Sequence, residues 1–305
     1  MERRDAMDAR ATLIILGLCV LWGGNQVAIR LSNAGTSPMF GSAVRSLVAG
    51  MLVALWALLR RRPLLPPSGA WLDGVVIGGL FGGEFGLLYL GLTFTTASHG
   101  VLCLFTAPFF VAAGAHWVLP GEPLTARKVG GLLLAFAGAI TTLADSLGAP
   151  TSAQVVGDLL VLGGGALWGA TSLYLKAVVR DRMTYTQTLF CQLAVSAVLL
   201  GTLSLLLEPR FIWLRTPGVL LGLFYQSVIV AFASYLVWFW LIQVYPVSLV
   251  SAYTFFTPIC GVLMGGLLLG ESLTGKLLLG AVLVAGGMVL LNWPANVPRP
   301  AAPLP

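Results

Sequence analysis

The stretch LFTAPFF, residues 104–110, places Pro108 inside a run of residues that is almost entirely apolar from Val101 to Val118. A second stretch, FFTPICG at residues 255–261, places Pro258 inside another apolar run. Proline has no backbone N–H and its ring clashes with the carbonyl one turn earlier, at a cost of about 3 kcal/mol inside a helix. The two stretches therefore predict two long apolar helices that are interrupted at matching places.

The composition of the chain indicates the medium in which these helices lie. Of its 305 residues, 58% are hydrophobic and 9% are charged, whereas an ordinary soluble domain carries about 25% charged residues. A bilayer cannot satisfy backbone hydrogen bonds, so membrane-spanning segments must be helices or strands of a closed barrel. Long apolar runs without period-two alternation favour helices. The predicted fold class is an all-α integral membrane protein.

Ten apolar segments are long enough to cross a bilayer as helices. Short stretches of turn-forming residues separate them, such as SNAGTSP, PGEPLT and GESLT. An even number of spans places both termini on the same side of the membrane. The predicted spans cover residues 11–30, 37–59, 71–93, 95–118, 127–144, 156–177, 184–207, 217–242, 247–269 and 275–292.

The distribution of basic residues predicts which side holds the termini. Cytoplasmic segments of membrane proteins collect lysine and arginine. With the N-terminus inside, the predicted inner segments hold 12 basic residues and the outer segments hold 4. Both termini are therefore expected in the cytoplasm, with an outward loop around residues 145–155. The net charge of +6 follows from this bias, so no nucleic-acid partner is expected.

The two halves of the chain share short motifs in the same order. LWGGNQVAIR at residues 21–30 matches LWGATSLYLK at residues 167–176, and Pro108 matches Pro258. The turn GEPLT that follows Pro108 matches the turn GESLT that follows Pro258. These matches indicate an internal repeat that covers most of the chain.

The repeat predicts the domain organisation. It gives two five-helix units over residues 11–144 and 156–292, followed by a disordered cytoplasmic tail at residues 293–305. Because five is odd, the second unit must enter the membrane from the opposite side. Inverted repeats with interrupted helices in corresponding positions are typical of carriers that work by alternating access.

These motifs also resemble those of a known family. The L-W-G of the first span, Arg45 in the second, Pro108 in the fourth and the turn G-E-x-L-T at residues 121–125 are similar to the EamA family of the drug/metabolite transporter superfamily. The resemblance implies a ten-helix carrier of the bacterial inner membrane that moves amino acids or other small metabolites, often outward, and holds its substrate between the two halves. The chain departs from the family pattern at Glu84, where an aromatic or small residue is expected, and at the inner turn 243–247, which has no basic residue.

The first span of each repeat carries candidate substrate contacts. Trp22 is followed one turn later by Asn25 and Gln26, and Trp168 is followed in the same way by Ser172. Polar groups are expensive in lipid, which makes each of them a functional candidate. The alternative is that they only bridge neighbouring helices, at about 0.6 kcal/mol per hydrogen bond.

The fourth and ninth spans carry a second group of candidates. His99 and Thr106 share one helix face with Cys103 through i, i+4, i+7 spacing, and Tyr253 occupies the equivalent face of the ninth span. A face that is polar in one repeat and aromatic in the other suits a cavity with a polar end and an apolar end. Core packing is the alternative. We take His99, Thr106 and Tyr253 as candidate substrate contacts.

Three residues are candidates for helix breaks or gates. Pro108 and Pro258 could each free a carbonyl beside a polar cavity, where substrate or water can use it; a simple kink is the alternative. Arg45 lies about nine residues into the second span, where its long side chain could reach the interface or bond to a helix end. A structural or gate-forming role is favoured for Arg45 over contact with substrate.

Glu84 is the candidate for coupling transport to protons. It lies near the middle of the third span, where desolvation favours the neutral form of a carboxyl group. Such a group can release a proton when a cationic or amino-bearing substrate arrives. His99 follows on the next helix, so a direct contact or a bridging water between the two side chains is expected. The alternative is a neutral acid bonded to a helix carbonyl.

Other functional classes find little support in the sequence. It contains no G-x-x-x-x-G-K-[ST] motif for ATP and no H-E-x-x-H or G-x-G-D motif of an intramembrane protease. Its four cysteines fall in four different spans, so no disulfide, metal or cofactor is expected. The predicted function is a secondary active carrier, and by resemblance an exporter, of small metabolites such as amino acids or amphipathic drugs. A membrane-embedded enzyme and a scaffold without transport activity are the alternatives.

Overall fold

The computed structural model describes residues 7–92, 94–95, 97–144, 147, 151–269 and 275–292. Within these ranges the chain is helical almost throughout and forms no β-strand beyond an isolated bridge between Thr36 and Ile212. Ten helical segments are long and apolar enough to cross a membrane, which confirms the predicted fold class and the number of spans. The predicted tail, residues 293–305, and the turn at 270–274 lie outside the described residues.

Thirteen α-helices, some continued by short 3₁₀ or π segments, build these ten spans in the described part of the chain. The helices are α1 (Ala9–Asn33), α2 (Pro38–Leu59), α3 (Trp71–Leu92), α4 (Ala97–Leu104), α5 (Ala107–Val118), α6 (Ala126–Leu143), α7 (Ser152–Tyr174), α8 (Tyr185–Leu207), α9 (Pro217–Phe224), α10 (Tyr235–Val244), α11 (Val247–Ala252), α12 (Phe256–Leu269) and α13 (Gly275–Asn292). A 3₁₀ turn at Ser68–Ala70 precedes α3 and another at Tyr253–Phe255 joins α11 to α12, while π-helical segments at Leu175–Val179 and Tyr225–Ser234 continue α7 and α9.

The fourth and ninth spans are each interrupted shortly before their proline. The α-helix stops between α4 and α5, two residues before Pro108, and between α11 and α12, three residues before Pro258. Beside each break a threonine hydroxyl donates to the carbonyl three residues earlier, Thr106 to Cys103 O and Thr254 to Ser251 O, at 2.6 Å in both cases. The interruptions that the two prolines predict are therefore present at matching places.

Several helix starts are encoded by the side chains next to them. Thr151 and Gln154 form a capping box at the start of α7, and Thr184 and Gln187 form another at the start of α8. In each, the threonine side chain accepts from a free backbone N–H of the first turn and the glutamine side chain accepts in return from the threonine N–H. These local bonds fix where the chain enters the membrane again after each turn.

The helices of the two halves pack in pairs that mirror each other. The first span packs on the eighth and ninth, just as the sixth packs on the third and fourth; α2 packs on α8, and α6 on α13. Glycines permit the closest approach: a Cβ added to Gly138 would lie 2.7 Å from the Gly280 carbonyl oxygen, and one added to Gly287 would lie 2.6 Å from that of Gly131. The helix contacts of the first half are thus repeated in the second half.

Charged side chains satisfy helix ends where the halves meet. The Glu208 carboxylate accepts from the N–H groups of Met39 and Phe40 at 2.8 and 2.9 Å, at the first turn of α2. The Lys176 ammonium donates to the carbonyl oxygens of Ile242 and Tyr245, both at 2.6 Å, at the end of the eighth span. Each helix has four backbone N–H groups at its start and four carbonyl groups at its end without a partner inside the helix. A carboxylate at the start or a cation at the end also interacts favourably with the helix dipole.

Candidate functional site

A cavity of about 140 Å³ lies between the two halves. Residues from the first and third spans, α4, the break after it and the sixth to ninth spans form its wall. Those that line it are Trp22, Asn25, Ile29, Phe81, Glu84, Phe85, Leu88, Tyr89, Leu92, Gly100, Val101, Leu104, Phe105, Trp168, Thr171, Ser172, Gln192, Val230, Tyr235, Trp238, Phe239 and Thr257.

Nine of the 22 lining residues are aromatic. Trp238 links the tryptophans of the two repeats, because its ring centroid lies 5.1 Å from that of Trp22 and 6.4 Å from that of Trp168. The Trp22 indole N–H donates to Ser234 Oγ at 2.9 Å, which fixes its ring on the eighth span. Phe105, at the break of the fourth span, contacts Trp168 edge to face at 5.9 Å. The wall therefore offers π-faces, which attract both flat apolar groups and cations.

Few polar groups face the cavity, and several of them have no hydrogen bond within the protein. Asn25 Oδ1, Gln192 Oε1 and Thr257 Oγ1 are buried and have no partner among the described residues. The hydroxyls of Thr171 and Ser172 donate to carbonyls of their own helix, so their lone pairs can still accept. A ligand that donates hydrogen bonds would satisfy these atoms, whose burial without a partner is costly.

Among the described side chains that line the cavity, Glu84 alone is charged at neutral pH in its ordinary state. It is buried, with 6% of its surface exposed. Arg45 lies behind the wall and is completely buried, and its guanidinium carbon is 3.9 Å from the ring centroid of Phe85 and 5.8 Å from that of Phe81. Arg45 and Glu84 interact electrostatically.

The cavity brings together five of the predicted substrate contacts: Trp22, Asn25, Glu84, Trp168 and Ser172. The backbone of Gln26 lies in α1, but its side chain falls outside the described part of the structure. The three remaining predicted contacts, His99, Thr106 and Tyr253, are not part of the lining.

These three side chains have other partners. His99 Nδ1 lies 3.1 Å from the Asp158 carboxylate, which also accepts from the Thr95 hydroxyl. Thr106 bonds to the backbone at the helix break. The Tyr253 hydroxyl accepts from Asn292 Nδ2 at 3.2 Å. Helical spacing identified the face shared by His99 and Thr106, but not how that face is rotated about the axis of the span.

The residues predicted as gates lie around the cavity and not in its lining. Pro108 is the second residue of α5 and is buried. Pro258 follows Thr257, which lines the cavity at the start of α12. Arg45 stacks on Phe85 behind the aromatic wall. It is completely buried and none of its guanidinium nitrogens has a hydrogen-bond partner among the described residues, so the expectation that it reaches the interface or bonds to a helix end is wrong.

Sequence reasoning missed Gln192, Tyr235 and Trp238. Gln192 could have been found from the repeat, because it is the eighth residue of α8 just as Arg45 is the eighth residue of α2. Tyr235 and Trp238 lie directly after the π-helical segment of the eighth span. A π-helical turn changes which side chains face inward, and the apolar sequence of this span gives no signal for it.

The cavity is closed on one side of the membrane. We call the side at which α1 begins, near Asp8, the N-terminal face, and the side at which α3 ends, at Leu92, the opposite face. At the N-terminal face α5 packs against α11, and the buried Glu122 carboxylate accepts from the N–H groups of Val247 and Ser248 at 3.0 and 3.1 Å.

On the other side the lining continues towards the membrane surface. It includes Leu92, the last residue of α3, and Gly100 near the start of α4. The cavity therefore extends towards the opposite face, while the contact of α5 with α11 separates it from the N-terminal face.

Ten membrane-spanning helices around a central cavity define a multi-pass membrane transporter, and comparisons with known proteins agree. The chain matches the EamA-like transporter family twice, over residues 9–144 and 155–293. It belongs to that family, which is part of the drug/metabolite transporter superfamily.

Relatives and a solved structure support this assignment. The uncharacterized transporter YvbV of Bacillus subtilis is 28% identical, over 96% of this chain and 95% of that protein. The WAT1-related protein At3g02690 of Arabidopsis thaliana is 26% identical, over 92% of this chain and 69% of that protein. A solved structure titled "Crystal structure of protein" has a TM-score of 0.80 at 21% identity and covers 94% of this chain and 99% of its own. That likeness establishes the fold.

Proposed function

We propose that the protein is a secondary active carrier that exports small amphipathic amines, including amphipathic drugs, by alternating access. One observation carries the proposal: an aromatic cavity whose described lining has a single ionisable carboxyl, Glu84. Aromatic faces attract organic cations, and a buried carboxylate supplies the opposite charge. Amino acids are the second substrate class to be tested, because Asn25, Gln192 and Thr257 could also contact a polar head group.

The matched helix breaks support the proposed mechanism. The bends before Pro108 and Pro258 would let α5 and α11 separate at the N-terminal face while α4 and α12 close at the opposite face. The two prolines then act as hinges, because they prevent either span from forming a continuous α-helix. Inverted repeats make the two end states nearly equivalent in packing, which is what alternating access requires.

Proton coupling is proposed to occur at Glu84. In the empty carrier the carboxyl is protonated; when an ammonium group binds, the proton leaves to the solution and the carboxylate pairs with the cargo. Return of the empty, reprotonated carrier then carries a proton in the direction opposite to the cargo. The proposed location is the bacterial inner membrane, with both termini in the cytoplasm, so that the inward proton gradient drives export.

Binding of matched probes tests the substrate class. Phenethylamine is expected to bind the purified protein at least about tenfold more tightly than phenylethanol, because a charge-assisted hydrogen bond contributes about 1.5–3 kcal/mol. Trp22, Trp168 and Trp238 line the cavity, so intrinsic fluorescence can report binding. Phenylalanine serves as the third probe.

The relative affinities of the three probes distinguish the possible classes of cargo. Equal affinity for the amine and the alcohol would contradict recognition through Glu84. Tighter binding of phenylalanine than of phenethylamine would replace amines by amino acids as the cargo. Absence of binding by all three probes would contradict the proposed cavity function.

A further inference from the structure

Arg45 combines a permanent charge with complete burial. Its side chain is 0% exposed, and none of its three guanidinium nitrogens has a hydrogen-bond partner among the described residues. Arginine stays protonated in proteins, and a buried charge without a close counter-ion is strongly unfavourable. Stacking on Phe85 and Phe81 returns only part of that cost. The free-energy cost of burying this charge points to a functional reason for Arg45.

The position of Arg45 connects it with the site that recognises charge. Phe85, on which the guanidinium stacks, lines the cavity and directly follows Glu84 in α3. Neither Arg45 nor Glu84 has an ion-pair partner within 4 Å in the part of the chain that the structure describes. The positive charge of Arg45 is thus held behind an aromatic ring and close enough to act on the carboxyl through space.

The repeat indicates that the fold itself does not require this arrangement. Gln192 stands at the place of Arg45 in the second repeat, since each is the eighth residue of its helix. Val230 stands at the place of Glu84, since each is the fourteenth residue counted from the start of its span, Pro217 and Trp71 respectively. Uncharged residues therefore occupy the same places in the other repeat, and the charges belong to one side of the cavity only.

We propose that Arg45 sets the charge of the cargo: its fixed positive charge behind Phe85 restricts the Glu84 site to monovalent cations and weakens their binding enough for release. The inference rests on the proposed function and deepens it. A monocation neutralises Glu84 and leaves one net positive charge, that of Arg45, in the site. A dication leaves two, which repel each other in a medium of low dielectric constant. Arg45 contacts no cargo in this account and acts only through its field.

Two permanently charged probes with the same aromatic body test the inference. They are benzyltrimethylammonium, with one charge, and p-xylylene-bis(trimethylammonium), with two. Binding is measured by tryptophan fluorescence as a pH series up to about pH 9, and affinities are compared on the plateau where they no longer change with pH. The wild-type protein is expected to bind the monocation at least about tenfold more tightly than the dication.

The variant Arg45→Gln installs the residue that the second repeat carries at this place. It is expected to bind the monocation about tenfold more tightly than the wild type does. Its affinity for the dication should rise still more, so the ratio of the monocation affinity to the dication affinity should fall by about tenfold. Release of the monocation should slow correspondingly. Ser42→Ala, one turn earlier on α2, leaves the charge of Arg45 in place and should keep the wild-type preference.

The possible results separate a field effect from a structural one. An unchanged ratio of the two affinities in Arg45→Gln, or an equal loss for both probes, would mean that Arg45 only supports the wall, and the inference would be wrong. A wild-type preference for the dication would overturn it without any variant. If the wild-type protein binds neither probe, the proposed function itself fails.

Discussion

Replacing Glu84 by glutamine is expected to reduce pH-driven uptake of phenethylamine into proteoliposomes to the level of protein-free liposomes. Glutamine keeps the shape of the side chain but can neither pair with an ammonium group nor exchange a proton. Loss of one partner of a buried ion pair costs about 3–5 kcal/mol, which corresponds to a loss of affinity of more than about a hundredfold.

A matched control separates the site from a general effect of the substitution. Asp181 is an exposed carboxylate in the turn before α8, and Asp181→Asn makes the same chemical change away from the cavity. It should transport as the wild type does, and both variants should show wild-type unfolding temperatures. If Glu84→Gln keeps the wild-type rate and pH dependence, the coupling role is wrong and Glu84 is a structural acid.

The second large effect is expected for Lys176→Met, and it concerns folding. The Lys176 ammonium is buried and bonds to two carbonyl oxygens at the end of the eighth span, each at 2.6 Å. Methionine keeps the apolar stem and removes these bonds. Each hydrogen bond from a charged donor contributes about 1.5–3 kcal/mol, so the loss of two is expected to be about 3–6 kcal/mol, out of a stability of about 5–15 kcal/mol.

Thermal unfolding of the detergent-solubilised protein measures this loss. Lys176→Met should unfold at a much lower temperature than the wild type or fail to yield monodisperse protein. Arg62→Met is the control, because Arg62 is exposed after α2 and its replacement should change stability by at most about 0.5 kcal/mol. Equal unfolding temperatures of wild type and Lys176→Met would show that the cap is not needed.

The helices and their interruptions could be predicted because their signals are local. Apolar run length defines each span, and a proline in the run defines where the α-helix must stop. Lys176 shows the limit of such reasoning. The sequence presents it as one more basic residue at a membrane surface, and only the packing of the sixth span on the end of the eighth reveals a buried cap.

The candidate site was predictable only in part, for a related reason. Trp22, Asn25 and Ser172 reach the cavity from the first and sixth spans, which both contribute to its lining. His99 and Tyr253 bond elsewhere, since a helical face can be read from spacing but its rotation is set by neighbours far away in sequence. The stacking of Arg45 on Phe85 joins two helices that no local pattern connects. Trp238 lies in the cavity wall just after a π-helical segment, and the apolar sequence does not predict that segment.

Counterflow tests the central claim most directly. Proteoliposomes are loaded with excess unlabelled benzyltrimethylammonium, whose permanent charge keeps it from crossing lipid unaided, and diluted into a trace of the labelled compound, with no pH gradient. A carrier that alternates access to one cavity must exchange cargo across the membrane, so the label should accumulate transiently above its equilibrium level in wild-type liposomes and not in those with Glu84→Gln. Label that only approaches equilibrium in wild-type liposomes, or the same overshoot with Glu84→Gln, would contradict the account.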